Sequence, residues 1–145
     1  MSTARLPLGT FVGARSGDKG GNANVGLWIL DPVEATAVAL AHGEEASLEV
    51  SATQTALADA RYSWLASLLT VDGVRVLLPE AAALEIDVFP LPNLRAVNIV
   101  IHGLLGRGVA ESSRVDPQAK GLGEHLRARR VDIPGSLLDP SDPVR

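Results

Sequence analysis

The spacing of apolar residues predicts four strands. Residues 8–15 alternate weakly between apolar and polar, and residues 25–30 form a short apolar run of strand length. Residues 84–88 alternate strictly, which is typical of a strand with one wet face, whereas residues 94–101 are apolar almost throughout, as in a central or doubly covered strand. A turn at residues 90–93 separates the last two, so they are predicted to form a hairpin.

Helical spacing predicts three helices. A capping pattern opens a short helix at residues 31–41, and a polar connector follows at residues 42–54. From residue 57 apolar residues recur at helical spacing, with an interruption at residues 72–73. A final helix is predicted for residues 116–128. This order of elements predicts an α+β sandwich in which helices cover one face of the sheet.

The length and composition predict one domain. A chain of 145 residues that is 46% apolar can bury a single core. The domain is predicted to span residues 1–133, followed by a flexible tail at residues 134–145 that is rich in proline, serine and aspartate. Because cysteine is absent, disulfides, thiol nucleophiles and thiolate metal sites are excluded.

Charge argues against a nucleic-acid partner, and the lack of a long apolar stretch argues against a membrane. The net charge is −4, and the one basic cluster, Arg127, Arg129 and Arg130, falls at the predicted end of a helix, where the helix dipole favours cations. The N-terminus lacks the apolar core of a signal peptide, and no stretch approaches the roughly 20 apolar residues of a membrane span. A cytoplasmic protein is therefore expected.

The segment with the most side chains that could bind or react is the glycine-rich stretch at residues 16–24, predicted as a loop between two strands. Its backbone N–H groups can turn inward as an anion-binding nest, to which Lys19 adds a positive charge. The alternative is a plain β-turn in which Asp18 and Asn22 bond their own backbone. The predicted ligand-binding residues are Arg15, Ser16, Gly17, Gly20, Gly21, Asn22, Asn24 and Asn98.

Two further residues stand out, one within the apolar strand and one directly after it. Asn98 lies in its middle, where a buried amide needs a polar partner, either to hold a loop in place or to share a site with the glycine-rich segment. His102 precedes Gly103 and is either a general acid or base or a structural histidine bonded to a carbonyl. The predicted catalytic residues are His102, Asp18 and Lys19. No metal site is predicted, because the histidines lack ligand spacing and no carboxylate pair flanks them closely.

Three blocks of sequence resemble a known family. Ala-Arg-Ser-Gly-Asp-Lys-Gly at residues 14–20, followed by Asn-Val-Gly at residues 24–26, is similar to the small C-terminal domain of the acyclic terpene utilisation protein A (AtuA) family. Leu-Pro-Asn-Leu at residues 91–94, with Val-Asn and Ile-His-Gly after it, matches a second motif. Residues 116–123 resemble that family's final helix, so the resemblance covers roughly residues 8–128.

The resemblance implies a ferredoxin-like α+β fold with a mainly antiparallel sheet. It also implies a link to the breakdown of branched or terpenoid acids as CoA thioesters. The family's larger N-terminal domain is not in this sequence, so a stand-alone small subunit with a larger AtuA-like companion chain is expected, its glycine-rich segment helping to bind a CoA thioester or other small anion. The alternatives are a self-contained acyl-CoA lyase or hydrolase and a structural homo-oligomer without catalysis. No cofactor is expected.

Overall fold

The computed structural model describes residues 2–30, 48–105 and 119–138, with side chains described from residue 52 in the second range. The described strands are β1 (Thr3–Pro7), β2 (Val12–Lys19), β3 (Asn22–Ile29), β4 (Ile86–Leu91), β5 (Ala96–Ile101) and β6 (Arg130–Pro134). The described helices are α1 (Leu48–Leu68), α2 (Val71–Leu77) and α3 (Leu122–Ala128). Short 3₁₀ turns lie at Leu8–Thr10, Pro79–Ala81, Pro92–Leu94 and Gly135–Leu137.

Every strand pair in the described residues is antiparallel. Four strands form one sheet in the order β2-β3-β5-β4, and β1 pairs with β6 in a second sheet. The predicted hairpin forms as β4 and β5, joined by the 3₁₀ turn at Pro92–Leu94. The predicted α+β fold with a mainly antiparallel sheet is confirmed.

Alternation along the two central strands determines which face of the sheet is covered. In β3 and β5 every second side chain is buried, and these residues are β-branched or otherwise apolar. They face α1 and α3, which pack on the same side of the sheet. The buried strand residues are Ala23, Val25, Leu27, Ile29, Val97, Ile99 and Ile101. The other face of the sheet therefore lies outside this core.

The helices differ from the prediction mainly at their boundaries. Helix α1 begins at Leu48, inside the predicted connector. The predicted interruption at residues 72–73 falls in the first turn of α2, where the Thr70 side chain accepts the Gly73 N–H at 3.1 Å and so caps the new helix. The predicted helix at residues 31–41 and the first residues of the predicted final helix, 116–118, lie outside the described residues. None of the described helices has the length and apolar character to cross a membrane.

The folded region extends beyond the predicted domain boundary. Pro134 ends β6, and Leu137 is buried, with its carbonyl accepting the Arg61 Nε–H at 2.8 Å. The predicted flexible tail is therefore corrected for residues 134–138, while residues 139–145 lie outside the described residues. Both β1 and β6 were missed, because each is five residues long and joins a partner more than 100 residues away.

Candidate functional site

The glycine-rich segment is a tight hairpin. Strand β2 runs to Lys19 and β3 begins at Asn22, so only Gly20 and Gly21 lie outside the strands. Gly20 has a φ of +65°, a conformation that favours glycine at the first position of a two-residue turn. The predicted loop at residues 16–24 is therefore wrong, because its polar residues lie along two fully paired strands.

Pairing in strands sends the predicted site residues to opposite faces. Ser16 is on the helix side, where its Oγ accepts the Gly123 N–H at 2.8 Å and donates to the Lys120 carbonyl at 3.2 Å. Asp18 lies opposite Ala23, a core residue, and so is also on the helix side. Ser16 thus joins β2 to the start of α3, and the structure does not bring Asp18 together with Lys19 or His102.

The remaining predicted side chains gather on the uncovered side of the sheet, here called the open face. In register across β2, β3, β5 and β4, Arg15 lies opposite Gly26, Gly26 opposite Asn98, and Asn98 opposite Phe89. The next row begins with Gly17 and Asn24. Among the described residues, the open face consists of Gly13, Arg15, Gly17, Lys19, Asn22, Asn24, Gly26, Trp28, Ala96, Asn98, Val100, His102, Asp87, Phe89 and Leu91.

Asn24 lies in the middle of this face, with Gly17 and Val100 as its register neighbours. Its Oδ1 is buried and has no hydrogen-bond partner in the described residues. A Cβ added at its register neighbour Gly17 would meet nothing within 4 Å, and one at Gly26 would meet only the Arg15 carbonyl, at 3.9 Å. The two glycines therefore leave space above the sheet next to Asn24, here called the trough. A buried acceptor of this kind needs a donor from outside the described residues.

Asn98 is not the buried core amide that the apolar pattern indicated. It is half-buried on the open face, where Gly26 and Phe89 are its register neighbours. Neither register neighbour is polar, so the prediction of a polar group directly opposite Asn98 is wrong, and Asn98 itself interrupts the apolar run of β5 on the open face. One face belongs to the core and the other is exposed.

The open face has an apolar end, away from Lys19, Asn22 and His102. Trp28 is 37% exposed and Phe89 is 48% exposed, which are high values for aromatic side chains. The indole of Trp28 lies flat against Gly13, where an added Cβ would be 2.6 Å from the ring. Gly13 therefore lets Trp28 cover the sheet. Large exposed apolar side chains on one face of a sheet are typical of interaction sites.

His102 forms a hydrogen-bonded pair with Asp87. The distance from His102 Nε2 to Asp87 Oδ2 is 2.6 Å, and the His102 backbone N–H donates to the Glu85 carbonyl at 2.9 Å. The hydrogen bond to Asp87 is the main cause that raises the pKa of His102 above 6.5; desolvation opposes it, and the charges of Asp87 and Glu85 add to it. Lys19 lies two strands away, ~10 Å at ordinary strand spacing. The partner of His102 is Asp87 rather than Asp18 or Lys19.

Two carboxylates flank His102, contrary to the expectation from sequence. One ligand atom each from Glu85, Asp87 and His102 lies within 4.8 Å of the others. A nitrogen and two carboxylate oxygens are chemically suitable for a divalent cation, although the His102–Asp87 hydrogen bond already uses two of them.

The turn after β5 is joined to the tip of the hairpin. The Asn22 Oδ1 accepts the Gly103 N–H at 2.9 Å, and the Leu105 N–H donates to the Gly21 carbonyl at 2.9 Å. These bonds fix the polar end of the open face, so the amide oxygen of Asn22 is already used. Of the second glycine-rich loop predicted from sequence, Gly103 is described, and Gly106 and Gly108 lie outside the described residues.

The model of the AtuA ferredoxin-like domain matches residues 6–132. The chain belongs to this family. No curated protein and no solved structure matches it. The resemblance seen in the sequence is thereby confirmed. In this AtuA ferredoxin-like domain the first motif block forms the β2–β3 hairpin, and the second forms the turn from β4 into β5.

Sequence reasoning missed Asp87 and the exposed aromatic residues of this AtuA ferredoxin-like domain. Asp87 is in a predicted strand, and the strand that pairs with it ends next to His102. Only the register of that hairpin would have shown that Asp87 lies near His102. The register depends on the turn geometry, which a four-residue connection does not determine. Trp28 belongs to the apolar run predicted as a strand and Phe89 follows the alternating strand, and only the three-dimensional placement of the helices shows that both are exposed.

Proposed function

We propose that this AtuA ferredoxin-like domain is a cytoplasmic auxiliary subunit whose open face forms one wall of a site for an acyl-CoA thioester. A larger AtuA-like companion chain would complete that site. The observation that carries the proposal is the buried Oδ1 of Asn24, which has no partner in the described residues and lies beside the space over Gly17. An orphaned buried acceptor costs about 1–3 kcal/mol, so a donor that arrives with a ligand or partner would be favoured.

The charges of the open face support an anionic ligand. Arg15 and Lys19 lie on the same side of β2, at the edge of the sheet, and both are exposed. They can approach a CoA phosphate or a substrate carboxylate, while the glycine-lined trough admits a narrow chain. The pantetheine arm of CoA carries amide N–H groups, and one of these could donate a hydrogen bond to Asn24 Oδ1. In this proposal the side chains of Arg15 and Lys19 bind the anion, in place of the backbone nest predicted from sequence.

The apolar end of the open face supports a protein partner. Exposed aromatic residues surrounded by polar ones are the usual composition of an interface centre. Trp28 and Phe89 lie beside the trough rather than on a remote surface. A companion that covers them would also close the trough, and ligand sites favour such junctions.

The test is complex formation with a larger AtuA-like chain from the same genome, measured by size-exclusion chromatography with light scattering. Phe89→Ser should weaken the complex at least tenfold, the usual effect at an interface anchor. Val76→Ser is the matched control, because Val76 is an apolar residue of α2 that is 78% exposed and is not on the open face. Equal affinity of wild type and Phe89→Ser, or no complex with wild type, would contradict the subunit proposal.

Ligand binding is tested separately on the assembled complex with isovaleryl-CoA by calorimetry. Lys19→Gln should weaken binding about tenfold, whereas Lys120→Gln, the same change of charge away from the open face, should leave it unchanged. If both variants bind equally well, the open face does not hold the anionic part of the thioester.

The His102–Asp87 pair favours a second candidate, a domain that catalyses acid–base chemistry on an acyl-CoA by itself. Asp87 would orient the imidazole and stabilise its protonated form, and His102 would exchange a proton with the substrate. The purified domain should then turn over an acyl-CoA, and His102→Gln should abolish turnover. Absence of turnover by the domain alone would leave the subunit role. A self-associated species without companion or ligand would instead indicate the structural homo-oligomer.

A further inference from the structure

A cleft of about 470 Å³ lies between α2 and the small β1–β6 sheet. Three arginines line it, Arg5, Arg129 and Arg130, and its apolar wall includes Leu68 and Leu77. Its lining includes no residue of the open face. The volume is within the range of small-molecule sites, about 300–1,000 Å³.

The cleft carries an excess of positive charge. Asp132 is its one lining carboxylate among the described residues. The Arg5 Nη1 lies 3.4 Å from Asp132 Oδ1, and these side chains are 65% and 64% exposed, so solvent screens the pair. The Arg130 Nη2 donates to the Arg5 carbonyl at 3.2 Å, and no carboxylate of the described residues pairs with Arg130. Three guanidinium groups therefore face one carboxylate.

Arg129 has a buried donor that the described residues do not satisfy. Its Nε is buried without a hydrogen-bond partner, whereas its backbone is fully engaged: the Arg129 N–H donates to Leu126 O at 3.1 Å and the Arg129 carbonyl accepts from Leu8 N at 2.8 Å. The backbone thus fixes the position at the end of α3. A buried charged donor without an acceptor is unfavourable, and an anion in the cleft would supply that acceptor.

The other arginine of the cluster shows what a structural arginine looks like in this fold. Arg127 donates to the carbonyls of Val12 and Gly9 and pairs with both oxygens of Glu124. The helix dipole explains why cations gather at the end of α3, but it does not explain why the Nε of Arg129 is buried and unpaired. The cluster therefore divides into one arginine that holds the fold and two that line the cleft.

We propose that this cleft binds an amphipathic anion, a carboxylate or phosphate head with a short hydrocarbon tail. The planar fork of Arg129 and the guanidinium of Arg130 match the head, because guanidinium groups bind carboxylate and phosphate oxygens in pairs. The tail lies along Leu68 and Leu77, the apolar wall of the cleft. The cleft is independent of the role proposed for the open face.

The experiment is isothermal titration of the whole chain with octanoate, octyl phosphate, acetate and inorganic phosphate. Octanoate or octyl phosphate should bind saturably at one site, and the better of the two identifies the head group. Its short counterpart, acetate or inorganic phosphate, should bind at least tenfold more weakly, because the tail buries apolar surface. Equal binding of the long and short probes would overturn the amphipathic class, and no saturable binding would overturn the site.

Variants locate the binding. Arg129→Gln should weaken binding about tenfold or more, and Arg129→Lys should restore part of it by keeping the charge without the fork. Lys120→Gln, the same loss of charge outside the cleft, is the control and should bind like wild type. Asp132→Asn should tighten binding severalfold, because it removes the one carboxylate and frees Arg5.

Asp132→Asn tests the site even if Arg129→Gln fails to fold, because tighter binding cannot result from misfolding. The latter change is at an exposed position and leaves the fold intact. Weaker binding in Asp132→Asn, or an equal loss in Lys120→Gln, would show that the probes bind elsewhere.

Discussion

Replacing Asn24 by valine should stabilise the free domain. The Oδ1 of Asn24 is buried without a partner in the described residues, and leaving such an acceptor unpaired costs about 1–3 kcal/mol. Valine removes the acceptor and suits a strand whose register neighbour is Val100. For a chain of this length each kcal/mol corresponds to about 2–4 °C, so Asn24→Val should raise Tm by about 2 to 12 °C.

Asn98→Val is the matched control for this change. Asn98 is one strand away on the same open face, is also half-buried, and has no buried side-chain atom that lacks a partner. Both substitutions gain the same strand propensity, so the difference between them isolates the orphaned acceptor. Scanning calorimetry should give a Tm for Asn24→Val that exceeds the Tm of Asn98→Val.

The gain in stability should be accompanied by a loss of function. If the missing donor comes from a ligand or a companion chain, Asn24→Val should weaken that binding while it stabilises the free domain, as happens at sites selected for binding rather than stability. A Tm of Asn24→Val equal to or below that of Asn98→Val would refute the reasoning. It would mean that ordinary solvent already satisfies the acceptor.

Two further predictions concern other parts of the domain. Asp87→Asn should lower the pKa of His102 toward 6.5, as followed by NMR of the ring protons. Because the raised pKa favours the folded form when His102 is protonated, the stabilisation is present below pH 6.5, is lost as pH rises through the folded-state pKa, and should be smaller in Asp87→Asn. Arg61→Leu should cost about 2–4 kcal/mol in denaturant unfolding, because it removes a buried charged hydrogen bond to Leu137 O and a cation over the Phe11 ring.

The fold could be predicted from the sequence where its determinants are local. The β4–β5 hairpin and the break before α2 follow from alternation, helical spacing and turn residues within short windows. Strands β1 and β6 could not be predicted, because their pairing joins Thr3 to Pro134 and no local pattern carries that information. The order in the tail at residues 134–138 depends on Arg61, which comes from the middle of the chain.

The candidate site was predictable in its residue types and not in its geometry. Lys19, Asn24 and His102 do share one face, as a common site requires. The chain itself could not show that Asp18 faces the other way, because that depends on where the strand ends and the turn begins. Once Lys19 is paired with Asn22, alternation determines the side of every neighbour.

An orphaned polar atom marks a binding site only when its surroundings leave room and charge for a ligand. Arg75 Nε is also buried without a partner in the described residues, yet the Arg75 Nη2 donates to the Leu84 carbonyl at 3.1 Å, so this guanidinium already has a partner within the fold. Asn24 lies beside the space over Gly17, and Arg129 lines an open cleft with two more arginines. A hydrogen bond to Asn24 Oδ1 or to Arg129 Nε therefore has to come from a group outside the described residues. Removing the orphaned atom should therefore raise the stability of the free domain and lower binding at these two positions, whereas the same treatment of Arg75 should only cost stability.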